Sequence, residues 1–108
     1  MIGEKQFRMM KSSSVFINPS RGELTDEGAL AKALREGWIG GAGIDVFSKE
    51  PPGTDNPLIL AAKEGVNIVL TPHIAGATSD ARMRIIQVTV DNVLRVLIGE
   101  KPQNVVNL

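Results

Sequence analysis

An α/β fold built on parallel strands is predicted by three features of the sequence. Short apolar, β-rich runs at Val15–Ile17, Gly41–Phe47 and Val66–Leu70 alternate with segments of helical periodicity. Each run ends at a proline or leads into a proline-rich loop, at Asn18-Pro19, Pro51-Pro52 and Thr71-Pro72. The long final segment has the length and capping of a single helix. Strand, helix, strand, helix, strand implies parallel pairing through right-handed crossovers, because consecutive strands joined by a helix return in the same direction.

Glu4 to Lys11 is a short helical candidate with Phe7, Met10 and Met9 inward, followed by the first strand, Val15-Phe16-Ile17, which Asn18-Pro19 halts. Thr25 is positioned to cap the next helix. Its first turn holds Asp26 and Glu27, where the helix dipole favours negative charge, and Ala29, Leu30, Ala33 and Leu34 share one face until Gly37 ends it. The second strand, Gly41–Phe47, begins with small residues that permit close backbone packing and becomes β-branched before its proline-rich loop. Asp55 to Ala62 reads as a short helix, and Val66–Leu70 as a third, buried strand. From about Thr78 to Ile98 one helix runs about 30 Å, capped by Thr78, Ser79 or Asp80 and ended by Gly99. Met83, Ile86, Val90, Val93, Leu94 and Leu97 form its expected apolar face. Ile85, Val88, Val96 and Ile98 widen that face beyond what three strands cover, which marks it for packing against a second domain or a second copy. The tail from Lys101 to Leu108 is expected to form a return path toward another domain and, as an isolated terminus, to be poorly ordered.

Composition narrows the function classes. The 108 residues suffice for one modest core, burying roughly 65% of the unfolded chain's surface. Twelve basic and twelve acidic residues cancel, and no basic stripe suited to a phosphate backbone is present, which argues against a nucleic-acid partner. Cysteine is absent, so disulfides and thiolate metal sites are excluded. No apolar run approaches the roughly 20 residues of a membrane span, and Met1–Lys5 lacks a secretion pattern; a cytoplasmic setting is expected.

Chemistry-bearing residues stand just past the apolar runs, where an open parallel sheet binds ligands. Asn18-Pro19-Ser20-Arg21-Gly22 offers a guanidinium, Asp45 with Glu50-Pro51-Pro52 offers two carboxylates, and Thr71-Pro72-His73-Ile74-Ala75-Gly76 carries the only histidine. Taken singly, Arg21 is more often a surface turn, Glu50 a solvated loop residue and His73 a structural histidine, and Asp45 can merely end a strand. Together they suit the reduction of a keto acid. A planar guanidinium can clamp a carboxylate by two hydrogen bonds, and an imidazole can donate the proton that the alkoxide needs. A carboxylate beside the imidazole favours its protonated form.

These three motifs, in this order, resemble the carboxyl-half signatures of the D-isomer specific 2-hydroxyacid dehydrogenases, a family that includes phosphoglycerate dehydrogenase and the glyoxylate and hydroxypyruvate reductases. The resemblance covers nearly the whole chain, including Gly99-Glu100-Lys101-Pro102 and the Asn104-Val105-Val106-Asn107 tail. It implies the C-terminal half of a Rossmann-type parallel sheet with flanking helices and a long C-terminal helix, so that residues 1–108 form part of an NAD(P)-binding domain leading back toward a separate substrate domain. It implies catalytic roles for Arg21, Glu50 and His73, and contacts to NAD or NADP from Ser20, Arg21, Asp45, His73 and Gly76. Asp45 is similar to the family's aspartate near the nicotinamide carboxamide, and Ser20 and Gly76 to positions where backbone lies against the nicotinamide. The implied substrate is a small D-2-hydroxy or 2-keto acid of the hydroxypyruvate, glyoxylate or 3-phosphoglycerate type. No metal is implied, and a homodimer through the 78–98 helix is.

The sequence also departs from a complete nucleotide site. Gly41-Ala42-Gly43 begins a Gly-x-Gly-x-x-Gly pattern, but Val46 stands at the third glycine and the segment enters a strand instead of opening a helix. The isolated chain is therefore expected to have residual or no activity. Two alternatives belong to other classes. One is a non-catalytic interaction or assembly fragment using the 78–98 helix. The other, remote, is a hydrolase using Ser20, Asp45 and His73, although Ser20 lacks the Gly-x-Ser-x-Gly elbow.

Overall fold

A computed structural model describes residues 1–106, which form two compact units, Met1–Ala75 and the segment from Gly76 onward. In the first unit, helix α1 (Glu4–Met9) precedes strand β1 (Val15–Asn18), and a 3-10 turn (Gly22–Leu24) leads into α2 (Glu27–Arg35). Strand β2 (Gly41–Ile44), α3 (Pro57–Lys63) and β3 (Ile68–Leu70) follow. The sheet is parallel in the order β1-β2-β3, with Asn18 beside Ile44 and Ile44 beside Leu70, so all three carboxyl ends line up at one edge. This is the predicted α/β architecture.

Because both crossovers run the same way, α2 and α3 pack on one face of the sheet. Leu30 and Leu58 are fully buried there with Ala42 and Ile44 of β2, and Phe7 of α1 meets Phe16 edge-on with ring centroids 5.3 Å apart. Burying a side chain of this size contributes about 1.5–3 kcal/mol. The other face is bare: Val15, Ile17 and Val69 are 58%, 68% and 63% exposed, and Gly43 lies between the last two. The third strand is thus a half-exposed edge instead of a buried strand, since no helix of this unit crosses the second face.

Several boundaries differ from the periodicity. Asp26, not Thr25, caps α2, its Oδ1 accepting the Ala29 N–H at 2.9 Å. Thr25 is buried instead, its hydroxyl accepting from Asn18 Nδ2 at 3.2 Å, while Asp26 N–H and Ile2 C=O pair at 2.9 Å to hold the chain's start. Met9 is exposed because α1 has only six residues and Phe7 fills its inward position. Strand β2 stops at Ile44, where Asp45 turns its carboxylate toward the next loop. Helix α3 starts at Pro57 under an Asn56 cap, with Asn56 Oδ1 accepting Leu58 N–H at 2.9 Å, and continues to Lys63. Helix α2 ends at Arg35, and Gly37 takes the left-handed turn beyond it at φ 69°.

In the second unit α4 spans Ser79–Leu97, with Thr78 Oγ1 accepting Ala81 N–H at 3.2 Å and Gly99 left-handed at φ 81°. None of its residues is buried. The tail folds back on α4: Asn92 accepts from Gln103 N–H at 2.7 Å and donates to Gln103 C=O at 3.3 Å. A reciprocal amide pair of this kind satisfies both backbone groups of one residue. The last two residues of the expected tail, Asn107 and Leu108, lie outside the described residues.

Candidate active site

Three turns hang from the aligned carboxyl ends of the strands. The first follows β1, where Asn18 accepts the Ser20 N–H at 3.1 Å and donates to Arg21 C=O at 2.8 Å, an Asx turn that sets Arg21 outward. Among the described residues the Arg21 guanidinium meets no carboxylate; its one hydrogen bond is to Ser20 C=O at 2.8 Å. Gly22 then passes against the second turn so closely that a Cβ there would overlap the Phe47 carbonyl and Ser48 nitrogen.

The second turn follows β2 and carries Glu50, whose peptide bond to Pro51 is cis. Glu50 Oε1 accepts the Phe47 N–H at 3.0 Å, and Oε2 lies 2.7 Å from His73 Nδ1. The hydrogen bond from His73, with that from Phe47 behind it, holds the Glu50 carboxyl below its ordinary value. Glu50 is therefore an ionised acceptor at neutral pH, so Nδ1 carries a proton and Nε2 takes no part in the pair. The pair is open to solvent, with the two side chains 51% and 37% exposed.

The third turn follows β3 and is shaped by Asp45. Asp45 C=O accepts His73 N–H at 2.8 Å, while its carboxylate accepts Ile74 N–H on Oδ1 and Ala75 N–H on Oδ2, both at 2.9 Å, and the Thr71 hydroxyl on Oδ1. Three successive amides thus converge on one buried residue, and His73 is held in the left-handed region at φ 55°. The Thr71 hydroxyl first, then the two amides, lower the Asp45 pKa against a burial that would raise it. This role was not legible in the sequence, where Asp45 had only its resemblance to a cofactor contact.

Arg21, Glu50 and His73 line a single polar cleft of about 170 Å³ together with Gly22 and Phe47. A larger apolar hollow of about 440 Å³, bounded by Phe47, Pro51, Ile59, Leu70 and Pro72, adjoins the same Glu50–His73 pair. Asp45, though bonded to the His73 backbone, lines a different, third cleft of about 220 Å³ with Ile17, Pro19, Gly43, Val69 and Thr71. Ser20 lines none of these clefts, and a Cβ on Gly76 would meet nothing within 4 Å, so the protein's own atoms do not demand glycine there. Sequence reasoning gave Asn18, Gly22 and Thr71 no role of their own, although Asn18 before Pro19 and Gly22 after Arg21 both carry turn signals.

Among the described residues, no group of three or more potential metal-binding side chains is present, and no helix is long and apolar enough to cross a membrane. The family model of the D-isomer specific 2-hydroxyacid dehydrogenase NAD-binding domain matches residues 1–75, the unit that contains all three turns. Over 107 residues the chain is 46% identical to a glyoxylate reductase of Korarchaeum cryptofilum, covering 99% of this chain and 31% of that protein. It is 47% identical over 106 residues to a glycerate dehydrogenase of Methylorubrum extorquens, covering 98% and 33%. Among solved structures, the NAD-complexed D-isomer specific 2-hydroxyacid dehydrogenase of Lactobacillus delbrueckii ssp. bulgaricus matches with a TM-score of 0.68 and 39% identity, over 99% of this chain and 35% of that one. A probable 2-hydroxyacid dehydrogenase of Rhizobium etli in complex with NADP matches with a TM-score of 0.75 and 32% identity, over 97% and 33%. The chain spans about a third of the length of the curated relatives it matches. With the motifs, the parallel sheet and the matched model in agreement over the same residues, the chain belongs to the D-isomer specific 2-hydroxyacid dehydrogenase family, and residues 1–75 to its NAD-binding domain.

Proposed function

We propose that this chain supplies the proton donor and the carboxylate clamp for reduction of a small 2-keto acid to its D-2-hydroxy acid, or for the reverse oxidation. The observation that carries the reading is the convergence of Arg21, Glu50 and His73 on one cleft from three separate strand ends. Arg21 holds the substrate carboxylate by its planar fork, for which it is free, and draws charge from the adjacent carbonyl. His73 gives a proton from Nε2 to the developing alkoxide, while Glu50 steadies the imidazolium through Nδ1. Relatives named glyoxylate/hydroxypyruvate reductase B and glycerate dehydrogenase support hydroxypyruvate or glyoxylate as the substrate class.

A nicotinamide cofactor, NAD or NADP, provides the hydride when bound. The residues fit its nicotinamide end. The cleft beside Asp45 has apolar walls at Ile17, Pro19 and Val69 and a polar rim at Asn18, Asp45 and Thr71. Asp45 has about four lone-pair sites on its carboxylate and spends three on the third turn, leaving one on Oδ2 for a carboxamide N–H. Ser20 and Gly76 are assigned to the same end through their backbone. The pyrophosphate end has no counterpart in these residues, because the sequence holds no Gly-x-Gly-x-x-Gly turn. We accordingly read residues 1–108 as part of a cofactor domain whose long helix and tail return toward a substrate domain, acting in the cytoplasm as a homodimer joined through α4.

The test is turnover of hydroxypyruvate and glyoxylate with NADH and NADPH by the longest protein encoded in the reading frame containing this chain. His73→Gln is expected to lower kcat/KM by about 10²–10⁴-fold with the fold intact. Unchanged turnover would overturn the assignment. A second reading, an assembly role without catalysis, is favoured by the exposed apolar residues of α4, none of which is buried; it would stand if His73→Gln kept turnover while polar substitutions on α4 abolished association.

A further inference from the structure

Glu27 lies outside the three motifs, yet its carboxylate grips the loop that carries Glu50 at both ends. Oε1 accepts the Ser48 N–H at 2.7 Å, and Oε2 accepts from Asn56 Nδ2 at 2.7 Å. Asn56 cannot turn to serve another partner without cost, since its Oδ1 caps α3 through Leu58 N–H at 2.9 Å. Between the two grips Glu50 doubles back, one oxygen on Phe47 N–H and the other on His73 Nδ1. Any acidic residue in the first turn of α2 would satisfy the helix dipole. Two directed hydrogen bonds, to partners 21 and 29 residues away, go beyond that need and fix a loop otherwise rich in proline and glycine.

We propose that Glu27 is a positioning residue for the Glu50–His73 pair, its hold on Ser48 and Asn56 setting the loop that presents Glu50 to the imidazole. The inference rests on the reading of that pair as proton donor and partner, and it is testable without turnover. In Glu27→Gln one amide oxygen can still accept from Ser48, but the amide nitrogen then faces Asn56 Nδ2, donor against donor. In Asn56→Asp the cap survives while two carboxylates face each other. In the double variant the pattern is simply reversed: the new amide on α2 accepts from Ser48 and donates to the new carboxylate, which still caps α3.

His73 is the only histidine, so ¹⁵N NMR of the histidine-labelled 108-residue chain reads one imidazole. Above the pH where the ring is neutral, the parent is expected to hold the Nδ1–H tautomer against Glu50. Each single variant should lose it, with Nε2–H becoming the majority form as in an unpaired histidine side chain, and the double variant should regain it. An unchanged tautomer in both single variants, even with a lowered Tm, would make Glu27 a merely stabilising residue and overturn the proposal. Loss without recovery in the double variant would overturn it equally. The functional reading fails separately: if the tautomer follows this cycle but His73→Gln retains keto-acid turnover, the positioning stands and the catalytic assignment falls.

Discussion

Asp45 shows how much one side chain can organise. It is buried, accepts from Thr71, Ile74 and Ala75 on its carboxylate, and takes His73 N–H on its carbonyl, so the left-handed His73 depends on it. Its folded pKa lies below the unfolded value, as does that of Glu50. The stabilisation that each gives is therefore present above the ordinary carboxylate range, about pH 4, and is lost as pH falls through the lower, folded value. Chemical denaturation between about pH 5 and pH 2 should show stability falling with acid, and Asp45→Asn should flatten that slope; an identical slope in the variant would contradict the account. Asparagine also sets an N–H against the Ala75 amide, so hydrogen exchange at Ala75 should quicken in this variant. His73→Gly separates conformation from chemistry. The backbone there favours glycine, so stability should stay within about 1 kcal/mol while proton donation is lost, as thermal unfolding and turnover would show.

Among the elements, the turn after β1 and the turn after β2 are the closest-packed pair. Gly22 has no room for a methyl group against Phe47 and Ser48, both backbone, so relief requires one turn to move. Gly22→Ala should lower stability by roughly 3 kcal/mol and separate Arg21 from Glu50 and His73, raising KM for the keto acid. Calorimetry and substrate-dependent kinetics check the two parts. For α2, Asp26→Ala should cost about 1 kcal/mol through loss of the cap at Ala29. The helices and strands themselves were legible because apolar spacing reports local burial: Leu30, Ala33, Leu34 and Ile44 all face the core as the pattern requires. The cap was not, since Thr25 and Asp26 are both good N-cap residues, and the choice was made by Asn18, a neighbour only in the fold. Arg21, Glu50 and His73 were legible as motif residues. Glu27 and the second role of Asp45 were not, because their partners lie 21 to 30 residues away and leave no local pattern.

At the scale of the whole chain, unsatisfied apolar surface is the leading fact. The bare sheet face at Val15, Ile17 and Val69 and the exposed residues of α4 are unusual for a parallel sheet, which is ordinarily covered on both faces. The 108-residue chain is expected to self-associate as its concentration rises, and paired polar substitutions at Leu94 and Leu97 should weaken that association in sedimentation velocity; a monomer at all concentrations would remove the homodimer proposal. The placement of the imidazole at the edge strand has a consequence for how function is lost. Strand β3 is three residues long, and the ladder is prolonged past it only by Thr71 N–H on Ile44 C=O and His73 N–H on Asp45 C=O. Edge strands with few buried side chains open before the core does. Rising denaturant should therefore detach His73 from Glu50 while Phe7, Leu30 and Leu58 remain packed, so that the protein passes through a state that is folded by every bulk measure and yet has lost the pairing that the proposed proton donor needs.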